Sequence, residues 1–97
     1  MYTFTVKGII KEQKVYEFKV NIKRLMLGLT PDFKEYSLSR DDTSKNLYNL
    51  RIIWLQENSR KEFLKSEDYR YLISLFKILG IIESQTVGQS DILISET

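Results

Sequence analysis

The sequence predicts one α+β domain, with helices covering one face of an antiparallel sheet. Three observations lead there. Residues 2–7 alternate apolar and polar side chains, as a half-buried strand does. Residues 47–55 present one wholly apolar face at the same period of two. Residues 15–29 and 69–79 instead place their apolar side chains at helical spacing. No repeat, low-complexity stretch or linker divides the 97 residues, so 1–97 reads as a single domain.

The elements follow in chain order. YTFTVKGII sets Tyr2, Phe4 and Val6 against Thr3, Thr5 and Lys7, and Gly8 marks a bulge or the strand's exit. KVYEFKVNIKRLMLGL, residues 14–29, fits two patterns. Tyr16, Phe18, Val20 and Ile22 alternate like a strand, whereas Val15, Phe18, Ile22, Leu25, Met26 and Leu29 keep helical spacing for four turns. The helical pattern is longer and its second half is rich in helix formers, so a helix is preferred. Gly28 suits its C-cap, with Pro31 just beyond.

FKEYSLSRD (33–41) reads as a second strand and DDTSKN (41–46) as a polar hairpin loop. In LYNLRIIWL (47–55) the even face carries Tyr48, Leu50, Ile52 and Trp54. The odd face carries Leu47, Asn49, Arg51, Ile53 and Leu55, which is too apolar for a surface facing water. These five residues are the candidates for a homodimer interface, in which a buried Arg51 needs a carboxylate such as Glu35 or Glu83. Ser59 and Glu62 have capping-box spacing and place a helix start near 59. Ser66, followed by Glu67 and Asp68, signals a second start. Tyr69, Leu72, Ile73, Phe76 and Leu79 form the stripe of the helix that Gly80 ends. Residues 81–94 supply a last strand, broken at Gly88. The order is the ferredoxin-like βαββαβ plan.

Composition removes several functions. Without cysteine there is no disulfide, thiolate nucleophile or zinc–thiolate site. Without histidine there is no His-based triad and no imidazole ligand for a metal or haem. Lys7, Lys11, Glu12 and Lys14 interrupt any signal-peptide core, and no apolar run reaches the roughly 18 residues of a membrane span. A cytoplasmic protein with no membrane partner is expected. Fifteen basic and 13 acidic residues are mixed along the chain, giving +2. The third strand also lacks the glycine and aromatic signature of an RNA-binding sheet, so no nucleic acid partner is expected.

KVYEFKVNIKRLM, followed by FKEYSLSRDDTSKNLYNLRIIWLQENSRKEFLKSEDYRYLISLFKILG, resembles the antibiotic biosynthesis monooxygenase family of dimeric α+β barrels. The shared pattern is a helix, a strand with a Tyr and a strand ending in Trp. A short helix, a Ser-containing break and a longer helix follow. Tyr36, Trp54, Ser66, Tyr69 and Leu72 match it, over roughly residues 2–82. The resemblance implies homodimers packed sheet to sheet, with ligand clefts between sheet and helices. It implies a monooxygenase that needs no cofactor and acts on an aromatic or quinol-like compound. The alternative is a non-catalytic dimeric ligand-binding or stress-related protein of the same fold. Relatives often carry a His at the position of Phe63, and haem-degrading ones use a His in this region to hold iron; Phe63 can neither bind iron nor move a proton. Phe4 and Thr5 stand where the resemblance implies a polar Asn in the first strand.

Trp54 is the leading candidate for a cleft wall, since an indole offers a flat apolar surface and one donor. It serves equally as a core residue bridging sheet and helix. Phe63, Tyr69, Tyr36, Phe76 and Phe4 complete either an aromatic pocket or plain core. A cofactorless oxygenase must deprotonate a phenol and stabilise the anion. Arg51, Glu35, Tyr36 and Tyr69 are the available polar suppliers, and no metal site is expected.

Overall fold

The structure, a computed structural model, describes residues 1–29, 33–42 and 44–89. Strand β1 (Tyr2–Ile10) leads through a 3-10 turn into helix α1 (Val15–Gly28). Strands β2 (Phe33–Arg40) and β3 (Leu47–Trp54) follow, then helices α2 (Glu57–Leu64) and α3 (Glu67–Leu79), and strand β4 (Gly80–Gln89). All pairings are antiparallel, in the order β2-β3-β1-β4. This is the ferredoxin-like α+β arrangement, with the helix following β3 split in two at Ser66.

The register explains which face is covered. Phe4 pairs with Ile52, Val6 with Leu50 and Tyr2 with Trp54 across β1 and β3. Phe4, Val6, Ile10, Tyr48, Leu50, Ile52 and Trp54 are all buried beneath the helices. Each fully buried side chain of this size contributes roughly 1.5–3 kcal/mol. Segment 15–28 is helical because Phe18, Ile22, Leu25 and Met26 then reach the core together, while Tyr16 stays 79% exposed. A strand would have set Tyr16 beside Phe18 on the buried face. Phe18 meets Phe76 of α3 edge-on at 5.0 Å, and the Tyr71 hydroxyl of α3 donates to Asn21 Oδ1 of α1 at 3.2 Å.

Gly8 sits where the β1–β4 register shifts, and a Cβ there would lie 2.7 Å from the Phe76 ring and 2.8 Å from the Ile81 carbonyl. At Gly80 a Cβ would collide with the Ile9 carbonyl, so the helix can turn directly into β4 only through glycine.

Four local expectations are corrected. Gly28 is the last residue of α1 with no left-handed φ, and Leu29 closes the helix by donating to Met26 O. Leu55 lies past the end of β3 and is 56% exposed, because the chain bends there towards α2; it is no member of the strand's odd face. Helix α2 begins at Glu57, two residues before Ser59, and Gln56 at its N-cap makes no side-chain bond. Strand β4 runs unbroken through Gly88, which pairs with Thr3. Pro31 and residues 90–94 of the expected last strand lie outside the described residues.

Among the described residues, no helix lies on the other sheet face. A row of apolar side chains crosses it, since Ile9 pairs with Leu47 on one side and Ile81 on the other. Ile81 is 69% exposed. Asn49, Arg51 and Ile53 lie on the same face; Arg51 is exposed and Ile53 half-buried. Glu35 pairs with Ile53 on this face, whereas Glu83 lies on β4, two strands from β3.

Candidate functional site

Where β3 ends and α2 begins, the chain closes a cleft of about 180 Å³. Its walls are Leu29 from the end of α1, Phe33 from the start of β2, Trp54 from the end of β3, and Ser59, Glu62 and Phe63 from α2. Ser66 and Asp68 complete it at the start of α3. The α2 residues and Ser66 follow a helical spacing of three and four, which turns one stripe towards the cleft.

Phe63 is the hub of the aromatic set. Its ring lies 5.2 Å from Trp54, 5.9 Å from Tyr69 and 6.2 Å from Phe4, and Phe4 meets Tyr69 edge-on at 5.6 Å. These tilted and edge-to-face contacts suit the ring quadrupoles. Trp54 is only 3% exposed, so it packs as a core residue while also lining the cleft.

The break between α2 and α3 is fixed by Ser66. Its hydroxyl donates to Phe63 O at 2.6 Å and accepts from Tyr69 N–H at 3.2 Å. Glu67 and Asp68 then occupy the first turn of α3, where the helix dipole favours negative charge. Arg60 holds α2 from its other side. Its Nη1 donates to Gly88 O at 2.6 Å and Thr3 O at 3.4 Å, its Nη2 lies 3.6 Å from Glu57, and its guanidinium stands over the Tyr2 ring.

Of the residues singled out in the sequence, Trp54 and Phe63 line the cleft. Phe4 and Tyr69 do not; they stack against Phe63, and the Tyr69 hydroxyl donates to Gln85. Tyr36 stands 6.3 Å from the Phe33 ring and is 37% exposed. Phe76 packs against Phe18 and Gly8, because α3 carries it two turns past Tyr69 along the sheet. Glu35 and Arg51 lie on the uncovered sheet face, which places neither among the cleft residues.

Among the described residues, the polar groups that line the cleft are Ser59, Glu62, Ser66 and Asp68. In sequence they look like helix-start signals. Ser66 is one, but Ser59 and Glu62 form no capping box. Asn58 Nδ2 instead donates to Glu62 Oε1 at 3.3 Å. Their i, i+3 spacing is equally the spacing of a shared helix face, and that was the readable signal.

No family model and no curated protein sequence matches the chain. Solved structures do. A conserved protein from Methanosarcina mazei Go1 aligns over 93% of this chain and 92% of its own, with a TM-score of 0.76 and 16% identity. A variant of SnoaB, a cofactor-independent oxygenase from Streptomyces nogalater, aligns over 92% and 91%, with 0.75 and 16%. An antibiotic biosynthesis monooxygenase aligns over 94% and 97%, with 0.69 and 16%. The chain has the fold of the antibiotic biosynthesis monooxygenase structures.

Proposed function

We propose that this protein binds a small hydroxylated aromatic compound in the Trp54 cleft and oxygenates it without a cofactor, as a homodimer packed through its uncovered sheet face. The observation that carries the reading is one cleft with Phe33, Trp54 and Phe63 along its walls and Glu62 and Asp68 among its polar groups. Aromatic walls fit a flat ring, and a carboxylate accepts the hydrogen bond of a ring hydroxyl and can take its proton. The likeness to a structure of a cofactor-independent oxygenase supports the choice of reaction. The apolar row Leu47–Ile9–Ile81 supports the dimer, as does Asn49 Oδ1, which is buried on that face without a hydrogen-bond partner among the described residues.

The second reading is a non-catalytic ligand-binding protein. It is favoured by the charge of the cleft: among the described residues no Lys or Arg lines it, so no cationic side chain there offsets a phenolate. One experiment separates the two. A panel of hydroquinones is added to the protein with a metal chelator and no flavin, while Trp54 fluorescence reports binding and an oxygen electrode reports turnover. Binding with oxygen uptake above the protein-free rate supports oxygenation. Binding without uptake supports the second reading, and neither response overturns both.

A further inference from the structure

We propose that the Trp54 cleft selects a single-ring hydroxyaromatic that carries a basic amino group. The inference rests on the reading of this cleft as the ligand site and adds its size and charge selection. The cleft volume is about 180 Å³. A cavity of about 150 Å³ lined by apolar side chains accommodates benzene. One ring with short substituents therefore fills the site, and a fused ring system would stand out into water.

Charge selects further. Glu62 and Asp68 are both among the lining residues, one from α2 and one from α3. The neighbouring bases do not line the cleft. Arg60 is tied to the Gly88 and Thr3 carbonyls, Lys61 lies 3.9 Å from Glu57, and Lys34 approaches Met1 Sδ. Lys65, exposed at the end of α2, does not line the cleft. A ligand carboxylate would meet two like charges, whereas an ammonium would pair with them. The aromatic faces of Trp54, Phe63 and Phe33 add a further attraction for a cation. The ligand's own ammonium would also supply a positive charge, which no described residue of the cleft provides, when a ring hydroxyl gives up its proton.

The test compares three one-ring phenols that differ in the charge of one substituent: tyramine, 4-ethylphenol and 4-hydroxyphenylacetate. Binding is measured by calorimetry at low ionic strength. Tyramine should bind about tenfold more tightly than 4-hydroxyphenylacetate, the scale that attraction of one charge and repulsion of the other by two exposed carboxylates allows, with 4-ethylphenol between them. In a Glu62→Gln, Asp68→Asn double variant tyramine should lose its advantage over both 4-ethylphenol and 4-hydroxyphenylacetate. Equal affinity for all three, or a preference that survives the double variant, overturns the charge selection and leaves the ligand site standing. A tighter fit for 2-anthrol, with three fused rings, than for 4-ethylphenol overturns the size selection. Binding by none of the probes overturns both this inference and the site.

Discussion

Trp54 shows that a residue can be core and wall at once. It is 3% exposed, yet it borders the cleft beside Phe63. Acrylamide should therefore quench its fluorescence weakly in the folded protein. Trp54→Phe should cost roughly 1–3 kcal/mol in a denaturant titration, the scale of lost packing at a filled site. Ser66 and Ser59 make a paired comparison. Ser66 caps α3 and Ser59 caps nothing. Ser66→Ala should cost about 1 kcal/mol, and Ser59→Ala should stay within about 0.5 kcal/mol of the parent. Equal losses for the two would show that the cap at Ser66 is not what holds the break between α2 and α3.

At the scale of elements, α2 is a short helix held by few partners. It lends Phe63 to the core, while Arg60 ties its other side to the carbonyls of β1 and β4. Arg60→Met should keep the apolar stem and remove those bonds. Hydrogen bonds from charged groups of this kind are worth about 1.5–3 kcal/mol, so amide exchange in 57–64 and near Gly88 should rise on the order of tenfold or more. Exchange in α1 should not change; a uniform rise would mean global loss of stability instead. The elements themselves were largely legible in the sequence. The even face of 47–54, the stripe of α3 and the Ser66 cap follow from periodicity and local chemistry alone. Helix α1 was legible only by preferring the longer pattern, since Tyr16 and Val20 also alternate with Phe18. The start of α2 was missed because an S-x-x-E capping box and two residues of one helix face have the same spacing. The cleft was legible only in part. Trp54 and Phe63 announce themselves as aromatics, but Leu29 and Phe33 join them only through the return of α1 onto β2, which no local pattern encodes.

At the scale of the whole molecule, the helices cover one sheet face and leave the other to the apolar row of Leu47, Ile9 and Ile81. Ile53 lies on the same face, paired with Thr3 and Glu35. Ile53→Asp should convert the proposed dimer to monomers of 11.5 kDa in sedimentation, since it would place an unpaired charge in the contact. The parent sedimenting only at 11.5 kDa at micromolar concentration would show that this face has no second copy on it. The strand order has another consequence, in time rather than in space. Of the four strands of this sheet, the first to be made is a central one, and its two neighbours are β3 and β4. At roughly 5–20 residues per second, β1 waits several seconds on the ribosome for β4 to be synthesised. Its β3 edge is open only until residues 47–54 are made, its β4 edge stays open through the whole interval, and Phe4 lacks the cover of Phe63 and Tyr69 until α2 and α3 follow. The nascent chain is then most exposed to chaperones, and to strands of neighbouring chains, until Gly80 delivers the last strand to the edge that has been open longest.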